Sequence, residues 1–141
     1  MPDSAAIEAA LIGKLLGDSA LTALCPDGVY FGVAKQSSER FVLVDLLDHH
    51  DEAVFGGRAI ESGLYLVKAV LKGNAGTQAA QAAARIDVVL EDQPLAAAGF
   101  NWMSTAREER VRITEVDDLD PSIRWQHWGG HYRIEMSVTG M

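Results

Sequence analysis

Apolar residues recur at helical spacing near the start of the chain. Ile7, Leu11 and Leu15 form one stripe, flanked by Ile12 and Leu16, and this spacing predicts an amphipathic helix. Asp3 or Ser4 is placed to N-cap it, and Glu8 lies where a negative charge suits the helix dipole. Gly17-Asp18 breaks the helix. Asp18 can cap a second short helix, Ser19 to Leu24, which Pro26 and Gly28 end. The segment Asp27 to Gln36 then reads as a tight Gly turn, a short apolar strand and a polar exit. Val29, Phe31 and Val33 are expected to anchor that strand under the first helix.

The period then changes to two. In Phe41 to Asp48, Val42, Val44 and Leu46 alternate against Phe41, Leu43, Asp45 and Leu47. His49 to Arg58 is polar and Gly-rich, and is expected to be a loop too long for a tight hairpin turn. A second strand, about Gly63 to Lys72, puts Tyr65, Val67, Ala69 and Leu71 on one face. Its other face, with Leu64, Leu66, Lys68, Val70 and Lys72, is only partly apolar, so a neighbour is expected to cover it. After a turn at Gly73 to Thr77, Ala79, Ala82 or Ala83, Ile86 and Leu90 mark a helix from Gln78 to Glu91. The last third reads as β: Phe100 to Met103, Glu109 to Val116, an acidic loop at Asp117 to Pro121, an extended Ile123 to Trp128, and a turn at Gly129-Gly130. The last strand alternates Tyr132, Ile134, Met136 and Val138 against His131, Arg133, Glu135, Ser137 and Thr139. One buried face and one wet face suit an antiparallel sheet. The whole order predicts one α+β domain over residues 1–141. Its sheet is mostly antiparallel, with the N-terminal helix and the central Ala-rich helix packed on one face.

Composition narrows the function classes. The chain has 141 residues, 48% hydrophobic and 23% charged, enough for one domain with a core. No apolar run reaches the roughly 18 residues of a membrane span. Met1-Pro2-Asp3-Ser4 carries an acid and no basic cluster, unlike a signal peptide. The net charge is −8, from 12 basic and 20 acidic residues. Residues 1–70 carry ten acids and five bases, and residues 71–141 carry ten acids and seven bases. No basic half is hidden, which argues against specific nucleic-acid binding.

Candidate chemistry is sparse. His49 and His50 point to opposite faces of an extended chain, so one ion would need further ligands, such as His127 or His131. His127-x-x-x-His131 has a helical zinc spacing, but Gly129-Gly130 opposes a helix. Cys25 follows a helix and precedes Pro26, where nothing activates a thiolate, so a small buried hydrophobe is expected. Neither Gly28-x-x-x-Gly32 nor Gly56-Gly57 is a phosphate loop. Glu108-Glu109 and Asp117-Asp118 read as solvated acids. No catalytic, cofactor-binding or metal residue is assigned. Trp125 and Trp128 lie in a polar stretch and suit either an interface or a cover over the sheet's edge, as does Phe55 in its Gly-rich surroundings. His50, Arg58 and Asp118, in the adjoining polar segments, complete the candidate interface set.

The helix Ile7 to Leu16, the turn-strand Gly28 to Ala34, the strand Phe41 to Val44, the Ala-rich helix and the ending Tyr132 to Thr139 occur in one order. In that order the chain resembles the tail-terminator, or tail-completion, proteins of long-tailed phages and gene transfer agents. Relatives often carry a proline leading into the strand at Phe41; here Glu39-Arg40 stand there. The resemblance implies a structural virion protein, not an enzyme, made in the host cytoplasm and sited at the head-tail junction. It implies a homohexameric ring that caps the head-proximal end of the tail tube, ends tube polymerisation and provides the surface for head-tail joining. Its implied partners are further copies of itself, the major tail tube protein and a head-side connector or stopper protein. DNA would pass through the lumen without specific binding, and no membrane or cofactor is involved. A small dimeric α+β enzyme or ligand-binding domain is the alternative, marked by a deep pocket with convergent polar groups. Another neck protein is a second.

Overall fold

The computed structural model describes residues 4–54 and 57–139. The order is α1 (Ala5–Leu16), α2 (Ser19–Leu24), β1 (Val29–Phe31), β2 (Arg40–Val54), β3 (Gly57–Lys72), α3 (Gly76–Leu90), β4 (Phe100–Val116) and β5 (Arg124–Val138). The strands make one sheet in the order β1-β2-β3-β5-β4. Among the described residues, only β1–β2 is a parallel pair. The fold is therefore the expected α+β arrangement.

The predicted stripes become the core. Ile7, Leu11 and Leu15 of α1, and Ala79, Ala82, Ile86 and Leu90 of α3, join Tyr65, Val67, Ala69 and Leu71 of β3 and Tyr132, Ile134, Met136 and Val138 of β5 in one buried cluster. Alternate residues of each strand thus meet the helices, while their neighbours form a helix-free face. Three small residues on the inner side of α3 let it approach the sheet closely. Asp87 then staples α3 to β4 and β5, accepting from Arg107, from Arg110 at 2.7 Å and from the Tyr132 hydroxyl.

Asp18 caps α2 as expected, with Oδ2 accepting from the Leu21 N–H at 3.0 Å. Ser4 does not cap α1 with its side chain. Its backbone is already helical (φ −55, ψ −21), so its carbonyl serves the first turn instead. The Gly turn forms, with Gly28 at φ +116. Asp27 Oδ2 then accepts from the N–H groups of both Glu39 and Arg40 at 2.8 and 2.9 Å. A proline at either position has no N–H to give. The anchoring of β1 is narrower than expected. Val29 packs against the core, whereas Phe31 is 39% and Val33 84% exposed.

Three loop or turn assignments are overturned. His49 to Arg58 is not a long loop: β2 and β3 stay paired to Ala53↔Arg58 and Val54↔Gly57. The polar residues alternate on strands that project from the sheet, so composition concealed them. Phe100 to Met103 and Glu109 to Val116 are parts of one 17-residue strand, interrupted by register shifts at Trp102/Ser104 and Arg107/Glu109. Gly129-Gly130 is not a turn but the middle of β5, paired to both β3 and β4. A Cβ on Gly129 would lie 2.0 Å from the Val67 carbonyl oxygen, and one on Gly130 2.8 Å from the Glu109 oxygen. The glycines are there because neighbouring backbones crowd them.

Candidate assembly interface

The β4–β5 hairpin ends in an ordered acidic loop. Asp117 Oδ2 accepts from the N–H groups of Leu119 and Asp120, each at 3.1 Å. Its Oδ1 accepts from Trp125 Nε1 at 3.0 Å. Asp120 Oδ1 accepts from the Ser122 N–H and hydroxyl at 3.0 and 2.7 Å. These bonds favour the ionised forms and hold both carboxyls below their usual range, the Trp125 bond mattering most for Asp117 and the Ser122 hydroxyl for Asp120. Two aspartates are thus used to fix the loop, and its fixed form presents Leu119 to solvent at 95% exposure. Asp118, beside it, has no hydrogen bond or ion pair among the described residues.

Trp125 and Trp128 are three apart on a strand and so lie on opposite faces. Trp125 is on the helix-free face, with Lys72 Nζ 5.9 Å from its ring centre. Trp128 is on the helix side, and the Arg112 guanidinium stacks 4.2 Å from its ring centre. Trp128, Arg110 and Arg112 face Ala80, Ala83 and Ala84 of α3 across a cavity of about 290 Å³. Trp128 Nε1 is itself buried, without an acceptor among the described residues. Arg110 is held by Asp87, while Arg112 has no carboxylate partner among the described residues.

His50 and the backbone of Arg58 lie at the other end of the sheet. His50 is exposed on the helix-free face, with Nδ1 3.8 Å from Asp48 Oδ2. Arg58 pairs with Ala53 through the backbone, and its side chain lies outside the described residues, as does the whole of Phe55. The structure therefore places Asp118, Trp125 and Trp128 in one hairpin and separates them from His50 and Arg58. Sequence reasoning missed Leu119, Arg112 and the Ala80–Ala84 wall. A lone leucine between aspartates was a signal that could have found the first.

The histidines pair differently from the sequence expectation. His49 Nε2 lies 3.6 Å from Asp51 Oδ1 and 3.7 Å from Glu61 Oε2, on the helix side of the β2–β3 hairpin. Together these three could hold a cation. His127 and His131 instead face Glu115 at 3.3 Å and Glu109 at 3.2 Å. Burial lowers the His127 pKa, with help from Lys68. Cys25 is buried as expected, and burial pushes its thiol up to about 12, far from a reactive thiolate. A broader cavity of about 400 Å³ lies between α1 and α3. Of its charged residues, Asp18 and Arg85 are joined to each other by two 2.7 Å bonds, and Lys14 Nζ donates to the Pro94 carbonyl at 3.1 Å.

Comparison with known proteins rests on shape. No protein-family model matches the chain, and no curated protein matches it in sequence. Among solved structures, a chain from the virion of a native gene transfer agent particle has a similar fold, with a TM-score of 0.74 at 15% identity, covering 95% of this chain and 96% of that one. A second solved chain matches with a TM-score of 0.60 at 14% identity, covering 99% and 97%. At these identities the likeness is one of fold.

Proposed function

We propose that this chain is a structural component of a phage or gene-transfer-agent virion. Within that class we assign it as a tail terminator: a ring subunit that caps the head-proximal end of the tail tube and offers a docking surface to the head-side connector. The observation that carries the reading is the end-to-end match to a gene-transfer-agent virion chain, with neither protein leaving a domain over. The element order that resembles tail terminators supports the finer role. Both ends of the sheet carry hairpins suited to contacts with unlike patches, the type of contact from which closed rings are built. The net charge of −8 suits a lumen that must let DNA pass without holding it.

The test is tube growth. Tail tube protein polymerises alone or with this chain, and tube length is read by electron microscopy. A terminator yields short tubes with a ring at one end. Tubes of unchanged length that carry no added density would reject the role. Binding to the head-side connector but not to the tube would point to a neck protein instead.

A further inference from the structure

The β4–β5 hairpin carries two unlike features that complete each other. One is the loop tip, an exposed apolar side chain beside a carboxylate with no described partner: Leu119 and Asp118. The other is the cavity of about 290 Å³ with an alanine wall, Arg112 and Trp128. The apolar wall suits a leucine. The Arg112 guanidinium lacks a carboxylate partner among the described residues, and an incoming carboxylate supplies one.

The loop cannot fill its own cavity. β4 runs extended from Arg112 to Val116, which separates the cavity from the loop by about 13 Å before the turn begins. The loop then turns back into β5 with its ends joined by Asp117 N–H to the Ile123 carbonyl. We propose that the occupant is a second copy of this chain, whose Leu119 enters the alanine-walled cavity while its Asp118 pairs with Arg112. This contact rests on the ring reading and gives it a mechanism. Loop and cavity are different patches, so each subunit has one of each and the contact propagates head to tail until it closes. The internal bonds of Asp117 and Asp120 hold the loop in its docking shape beforehand, which lowers the ordering cost of association.

The experiment is sedimentation velocity of the full chain, with tail tube protein present, for wild type and four variants. Wild type is expected to form a closed oligomer. Leu119→Asp and Arg112→Glu each place an unfavourable group at the contact, and each is expected to weaken self-association at least tenfold. Mixed together, they retain one intact loop and one intact cavity, so they are expected to stop at a heterodimer. Asp118→Arg is expected to dissociate the ring, and Arg112→Asp combined with Asp118→Arg is expected to restore it. Leu119 is exposed, so thermal melting of Leu119→Asp, unchanged from wild type, guards against misfolding. Assembly of Leu119→Asp and Asp118→Arg as complete as wild type would overturn the contact while leaving the ring intact. Loss of tube binding by Arg112→Glu with self-association unchanged would overturn it in favour of a tube-protein segment in the cavity. A wild type that stays monomeric and ignores the tube would overturn both this contact and the ring reading.

Discussion

The two ends of the sheet's last hairpin differ in how far folding completes them. Where β5 runs from Tyr132 to Val138, its inner side chains are buried under the helices. Tyr132 finds a partner in Asp87. Beyond Gly130 the same strands leave Ile113, Val116 and Leu119 exposed and Trp128 Nε1 unpaired. The difference teaches where stability and assembly lie. The first region stabilises the monomer by apolar burial. The second contributes little to the monomer and keeps groups that an interface can use.

The largest expected effect comes from breaking the finished region. Leu11→Ala removes a fully buried side chain beneath the helices and is expected to cost about 2–5 kcal/mol, read by urea denaturation. Gly129→Ala strikes the border between the regions. Its Cβ meets the backbone of β3, which cannot move aside without breaking the ladder, and the expected loss is about 1–3 kcal/mol in the same assay.

A smaller effect depends on pH. His127 is largely buried, and its pKa is lowered from 6.5 in the folded chain. The unfolded chain therefore takes up its proton first, so stability is full above pH 6.5 and falls as pH drops below it. His127→Gln is expected to remove that step. The lowered pKa of Asp18, set by its bond to Arg85, leaves a separate loss below pH 3.8. Denaturant midpoints measured from about pH 2 to about pH 8 separate the histidine step from the carboxylate one. The smallest effect is expected at the unfinished region. Leu119→Asp changes an exposed side chain and should shift monomer stability by no more than about 0.5 kcal/mol, within the error of a thermal melt. A loss comparable to that of Leu11→Ala would erase the contrast between the regions.

Much of the finished region was legible in the sequence because its signals are periodic. The stripe Ile7, Leu11, Leu15, the Ala-rich helix, and the alternation from Tyr132 to Val138 each state a period and a buried face. Asp18 was legible because a cap needs only one side chain at one position. The unfinished region was hard to read for the opposite reason. Its strands are wet on much of their surface, so the polar Ser104 to Glu108 hid the continuity of β4, as the polar run from His49 hid the end of β2 at the other end of the sheet. Gly129-Gly130 resembles a turn in sequence, and only the crowding from β3 and β4 explains it. The cavity joins Ala80 to Ala84 with Trp128 across more than forty residues of chain, a juxtaposition that no local pattern contains.

The central claim is that the chain is a ring-forming virion subunit, and native mass spectrometry of the full chain with tail tube protein tests it most directly. The account predicts a closed oligomer of one fixed copy number that binds the tube protein. A chain that remains monomeric at every concentration and never binds the tube protein would contradict it.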